Sequence, residues 1–171
     1  MTEKKTYSRR DLFRGAFLRR NEGSAASESD HARREIDATL DEAERLYAAG
    51  EYGRAAGLYQ QVLKTRTAGI NLRLRYGLSL YLSGKHIQAR VEFSRAVRQE
   101  KENRFAHLLL GLAQYKTGQT DRAAGTWQSL DLSSDSDIGS LFAGKDLQDI
   151  PSDEVLKEFE PGILALAQSR A

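Results

Sequence analysis

The chain has 171 residues, of which 40% are hydrophobic and 29% charged, with a formal net charge of +2 and no cysteine. The missing cysteine excludes disulfides, thiolate metal sites and a cysteine nucleophile, and no apolar run approaches the ~18 residues of a membrane-spanning helix. Only 2 prolines occur, against many Ala, Leu, Arg, Glu and Gln residues, a bias that favours helix.

Charge is concentrated at the start. Residues 1–20 form a basic arm, with Lys4, Lys5, Arg9, Arg10, Arg14, Arg19 and Arg20 against Glu3 and Asp11, so the remainder is mildly acidic. Placed on a helix, Leu12, Phe13, Ala16 and Phe17 share one face while arginines occupy much of the rest. This pattern predicts a short amphipathic helix that docks on an anionic membrane surface or a partner, through Arg9, Arg10, Leu12, Phe13 and Phe17. The stretch Ser8-Arg9-Arg10-Asp11-Leu12-Phe13-Arg14 also resembles a degenerate twin-arginine motif, as found on leaders of bacterial exported redox enzymes. Export needs an apolar segment of roughly 7–15 residues after the motif. Here Arg14 interrupts it and Arg19-Arg20-Asn21-Glu22 closes it, so export is not the expectation. The resemblance implies instead a bacterial protein that works near such enzymes. Residues 21–35 begin NEGSAASESDHA, small and polar, and read as a flexible linker.

From residue 36 to 130 the chain repeats itself at one constant shift, without a gap. Gly50, Gly84 and Gly118 coincide, as do Ala55, Ala89 and Ala123; Tyr59, Phe93 and Trp127; Tyr47, Tyr81 and Tyr115; and Ala43, Gly77 and Gly111. The small residues let paired helices approach, since a larger side chain there would force the axes apart. Gly50, Gly84 and Gly118 suit the left-handed residue that follows many helix ends. The aromatics Tyr59, Phe93 and Trp127 are expected to fill the space between one hairpin and the next. The spacing predicts helix pairs at 36–49 with 53–65, 70–83 with 86–99, and 104–117 with 120–130.

A 34-residue period with these positions resembles the tetratricopeptide repeat (TPR) family, the copies reading LYAAGEYGRAAGLYQQVL, LYLSGKHIQARVEFSRAV and QYKTGQTDRAAGTWQSL. The resemblance implies an all-α fold, a right-handed α-α superhelix with C-terminal capping helices. Three departures stand out: no proline separates the repeats, His86 and Thr120 replace the aromatic at Tyr52, and Thr39, Arg73 and His107 occupy a place that is often Trp or Leu.

In that family the first helix of each pair lines a concave groove. Carried onto this chain, the groove positions are Asp37, Leu40, Glu44, Tyr47 and Ala48; Asn71, Leu74, Leu78, Tyr81 and Leu82; and Phe105, Leu108, Leu112, Tyr115 and Lys116. The result is an apolar trough with a row of tyrosines, suited to the apolar face of a partner helix or peptide. Glu44, Phe105 and Leu109 stand where a clamp for a terminal carboxylate needs cations or amides, so that use of the family fold is not expected. Two states of the groove remain open on sequence: free, or covered by the chain's own C-terminal helices. For the groove that holds a partner, changing both Leu78 and Leu112 to Glu is expected to abolish capture and leave helicity intact.

Residues 131–171 fall outside the repeat. Asp131, Ser133, Asp135 and Asp137 alternate as in a calcium loop, but Ser136 and Phe142 replace the glycine and glutamate that such a loop needs, so a solvated loop is expected. Short helices are predicted at 138–142, 152–159 and 161–169, with Pro161 opening the last. Their apolar residues Val155, Leu156, Phe159, Ile163, Leu164 and Leu166 would cap the stack.

No constellation for chemistry emerges. His31, His86 and His107 lack metal-ligand spacing, and no phosphate-binding loop follows a strand. The expected function is therefore non-enzymatic, without cofactor or metal. It is that of an adaptor or assembly factor that holds a partner polypeptide in the groove and serves a membrane-associated or redox enzyme complex. The expected location is cytoplasmic, at the inner membrane face when the arm docks. The other reading is an exported or membrane-attached structural protein whose repeats mediate self-assembly. Nucleic acid is not an expected partner, because the scattered arginines form no recognised module.

Overall fold

A computed structural model describes the backbone of residues 9–65, 69–130, 139–140 and 153–170, with side chains from residue 29 onward and, in the last segment, over 159–169. The described residues form helices α1 (Arg9–Ala48), α2 (Tyr52–Thr65), α3 (Ile70–Leu82), α4 (His86–Gln99), α5 (Arg104–Lys116), α6 (Thr120–Gln128) and α7 (Asp153–Arg170). No strand occurs among them. Two compact units divide the chain, residues 1–39 and residues 40–171, so α1 contributes to both.

In the first unit the backbone is helical from Arg9, and residues 29–35 are exposed. Residues 21–35, which read as linker, lie inside α1. The physical reason is local: the segment has no proline, and Ala25, Ala26, Ala32, Arg33, Arg34 and Glu35 are good helix formers. Adding residues to a formed helix is far easier than nucleating one. The side chains of Arg9, Arg10, Leu12, Phe13 and Phe17 lie outside the described residues, as does the loop at 131–138.

The second unit holds three hairpins: residues 40–48 with α2, α3 with α4, and α5 with α6. Successive helices from α2 to α6 pack on their chain neighbours. Each hairpin turns in the same way. Gly50, Gly84 and Gly118 have φ of 78°, 81° and 74°. In the middle copy the Gly84 amide donates to the Tyr81 carbonyl at 2.9 Å and the Lys85 amide to the Leu80 carbonyl at 2.8 Å, with equivalent bonds in the other two. This paired arrangement satisfies two carbonyls that the helix end would leave orphaned.

The interior of the second and third hairpins rests on a glycine–aromatic pair. A Cβ at Gly77 would lie 2.5 Å from Phe93 Cε1, and one at Gly111 would lie 2.2 Å from Trp127 Nε1. The rings thus sit directly on the first helix of their own hairpin, where the sequence reading put them between hairpins. The missing Cβ makes the room. Trp127 is fully buried and donates its indole N–H to the Leu108 carbonyl at 3.1 Å, so its one polar group is satisfied.

The departures from the repeat pattern have local explanations. Arg73 donates to Glu92 at 2.8 Å, tying α3 to α4, and Glu92 also pairs with Arg95. His86 sets its ring 4.8 Å from Tyr81, as Tyr52 does at 5.3 Å from Tyr47 one repeat earlier. At the second junction Asn103 replaces the absent proline as the start signal: its side chain accepts from the Ala106 amide at 2.9 Å. His107 Nε2 lies 2.8 Å from the Lys101 carbonyl and steadies the same turn.

Candidate partner groove

Residues 40–48, α3 and α5 carry the expected groove positions. Because Cβ atoms three and four apart share a helix face, Leu74, Leu78 and Tyr81 project together from α3, and Leu108 and Leu112 from α5. All five are buried in one apolar cluster, with Tyr47 buried beside them. Leu40, Leu82, Phe105 and Tyr115 are half-buried at its margin, and Asn71 is exposed. The apolar cluster and its margin thus hold Leu40, Tyr47, Leu74, Leu78, Tyr81, Leu82, Phe105, Leu108, Leu112 and Tyr115, while Asp37, Ala48, Asn71 and Lys116 of the expected groove positions are exposed.

What covers that surface is α7. Phe159, Ile163 and Ala167, spaced four apart on one face, are buried in the same cluster, with Leu164 and Leu166 packed against it. Glu160 fixes the register. Its Oε1 accepts from the Tyr81 hydroxyl at 2.7 Å, and its Oε2 takes the Lys116 ammonium at 2.6 Å, joining α7 to α3 and to α5 at once. Burial, together with the Glu160 carboxylate, pushes the Tyr81 phenol well above its usual range, so Tyr81 is a neutral donor. Of the two states that the sequence leaves open, the structure has the covered one.

Two sequence expectations change here. Segments 152–159 and 161–169 are one helix with Pro161 in its interior, because Phe159, Ile163 and Ala167 straddle the proline on one buried face. Burying that face outweighs the roughly 3 kcal/mol that an interior proline costs a helix. The expected helix at 138–142 lies outside the described residues apart from 139–140. Leu78 and Leu112 are each 1% exposed, so glutamate at either place would bury a charge and unfold the unit instead of silencing capture alone.

A second polar group at the margin escaped sequence reasoning. The Arg75 guanidinium lies 4.8 Å from the Tyr47 ring centroid, stacked over it, and 3.4 Å from Glu44 Oε2. It links the first hairpin to α3. Burial pushes the Tyr47 phenol up against the opposing pull of Arg75, and pushes Tyr59 up with Glu44 adding to the effect. One signal was available: Glu44 occupies the groove place where the other two copies have Leu78 and Leu112. A lone carboxylate in an apolar row needs a cation.

Away from α7, two clefts open among α2 to α6. Gln60, Arg73, Tyr76 and Glu92 line one, and Arg90, Val91, Arg98 and Arg122 the other. No group of three or more His, Asp or Glu among the described residues is placed to hold a metal ion. No described helix is long and apolar enough to cross a membrane.

No family model matches the chain, and no curated protein matches it in sequence. Among solved structures the TPR domain of Sgt2 from Aspergillus fumigatus matches with a TM-score of 0.51 at 20% sequence identity, covering 80% of this chain and 82% of that one. At that identity the likeness concerns the fold. With the regular period, the three glycine turns and the glycine-seated aromatics, it gives the conclusion: this chain has the all-α helical-repeat fold of a TPR solenoid.

Proposed function

We propose that this protein is a protein–protein interaction adaptor or assembly factor that holds a helical segment of a partner in the groove formed by residues 40–48, α3 and α5. The observation that carries this reading is α7: a helix of the chain's own packs on α5, ties to Tyr81 and Lys116 through Glu160, and buries Phe159, Ile163 and Ala167 in the apolar cluster that holds the groove leucines, so the surface accepts a helix. The fold likeness to the Sgt2 TPR domain supports binding as the general class of activity. A partner takes the place of α7, and α7 keeps the apolar surface covered until then. An uncovered patch of this kind on a monomer invites aggregation.

The arm at residues 1–20 is the second contact. It docks on an anionic membrane face or on a membrane-associated redox complex, a reading supported by its amphipathic basic sequence and by the twin-arginine-like stretch. The protein then acts in the cytoplasm at the inner membrane face. Two measurements test the proposal. Proteins cross-linked to the full chain in native cells are compared with those cross-linked to a Phe105→Ser, Tyr115→Ser variant altered at the groove margin. Loss of the same proteins supports the groove, and an unchanged set refutes it. Flotation on vesicles containing anionic lipid, with and without residues 1–20, tests the arm: equal flotation of both refutes membrane docking.

A further inference from the structure

Resting on the groove reading above, we infer that the partner is an amphipathic helix carrying a carboxylate directly after a large apolar anchor, an apolar residue four positions after that anchor and a small one at eight. This is the pattern of Phe159, Glu160, Ile163 and Ala167 in α7, the occupant whose fit the structure displays.

The carboxylate is a requirement of the groove as well as a feature of α7. Tyr81 is 3% exposed, and its hydroxyl projects from the apolar floor toward Glu160. Lys116 stands on the facing helix, its side chain 33% exposed. A helix that covers this floor without an acceptor at that point strands a buried hydroxyl, and one whose acceptor is uncharged, such as glutamine, still leaves the ammonium beside it without its counter-charge. Leaving a buried donor unpaired is more damaging than a made bond is helpful. The groove therefore selects against helices that match its apolar outline but lack the acid. Selectivity by a desolvated polar group of this kind exceeds what hydrophobic fit alone provides.

The same geometry explains how a partner displaces α7. Pro161 follows Glu160 directly and lies inside α7. It has no N–H, so the backbone bond that would reach the carbonyl of residue 157 is missing at the turn that carries the anchor. A partner helix with the same four groups and no proline makes every contact of α7 and keeps its full ladder. The groove is thus occupied by an imperfect copy of its partner.

The test uses labelled 18-residue peptides of sequence 153–170 carrying Pro161→Ala, with and without Glu160→Gln. Each is titrated by fluorescence anisotropy into the full chain bearing Phe159→Ser and Ile163→Ser, whose own α7 has lost its anchors. The expected result is that the glutamine peptide binds about tenfold more weakly. Adding Lys116→Met to the protein should weaken the glutamate peptide and leave the glutamine peptide unchanged. Equal affinities overturn the carboxylate rule and leave the groove reading standing. If neither peptide binds, the groove reading itself falls. A second measurement needs no weakened chain: amide exchange over residues 159–169 of the natural protein should accelerate about tenfold in Glu160→Gln and in Lys116→Met, and no further in the double variant. Unchanged exchange overturns the inference. A natural chain that is dimeric and becomes monomeric with Glu160→Gln reassigns the groove to α7 of a second copy and likewise overturns it.

Discussion

Replacing Gly111 with alanine tests the packing of the third hairpin most sharply. The added Cβ would stand 2.2 Å from Trp127 Nε1 and 2.4 Å from Cε2, whereas ordinary contact begins at 3.4 Å, so the indole must retreat. The ring has nowhere to go, because it is fully buried. Its movement also pulls Nε1 from the Leu108 carbonyl, now 3.1 Å away. Overpacking costs about 2 kcal/mol, and a buried donor left unpaired costs about 2 kcal/mol more. Alanine returns about 1 kcal/mol through its better helix propensity. The net expectation is about 3 kcal/mol of destabilisation, or roughly 6–12 °C in Tm for a chain of this size. The control is Gly57→Ala in α2, where a Cβ meets nothing within 4 Å. There the propensity gain stands alone and Tm should rise by a few degrees. Circular dichroism melts of both variants measure the contrast, and the emission of Trp127, the single tryptophan, reports whether the ring moved. Shifts of Tm in the same direction for both substitutions would refute this account, as would a Gly111→Ala variant that melts together with the natural chain.

Three further outcomes are expected. Gly84 has φ 81° with open space around its Cβ position, so Gly84→Ala isolates backbone strain and should cost about 1–2 kcal/mol, with Gly84→Asn costing less, in urea titrations. Tyr47, Tyr59, Tyr76 and Tyr81 all have pKa values raised above 10.0, burial being the largest cause in each. The folded state therefore holds protons that the unfolded chain releases. Stability should be flat with respect to these groups below pH 10 and fall above it. Tyrosinate absorbance of these residues should appear together with the loss of helical circular dichroism; full ionisation of the tyrosines in a still-helical chain would contradict this. Glu92 is 6% exposed and bridges Arg73 and Arg95. Glu92→Leu alone should destabilise by about 2–3 kcal/mol, because it leaves the half-buried Arg73 unpaired, and Arg73→Leu with Glu92→Leu should recover most of the loss in the same titrations.

The repeat was legible in the sequence because each of its determinants is local. A glycine that must take positive φ, a small residue under an aromatic ring and an apolar residue every third or fourth place are all properties of one hairpin. They recur at a fixed interval because the same hairpin is built three times. The helix ends of the hairpins follow directly. What covers that face was not legible. The pairing of Tyr81 with Glu160 joins residues 79 positions apart, and nothing in the local pattern of either announces the other. Nor does the sequence around Pro161 predict one continuous helix. A proline in the first turn of a new helix and a proline inside a longer one read alike until the buried face of Phe159, Ile163 and Ala167 is seen to span it. Local pattern alone was enough to place the hairpins and their order. The seating of α7 on the hairpins emerged from the folded chain, because it depends on burial between segments distant in sequence, where the free energy lies in contacts that no local window contains.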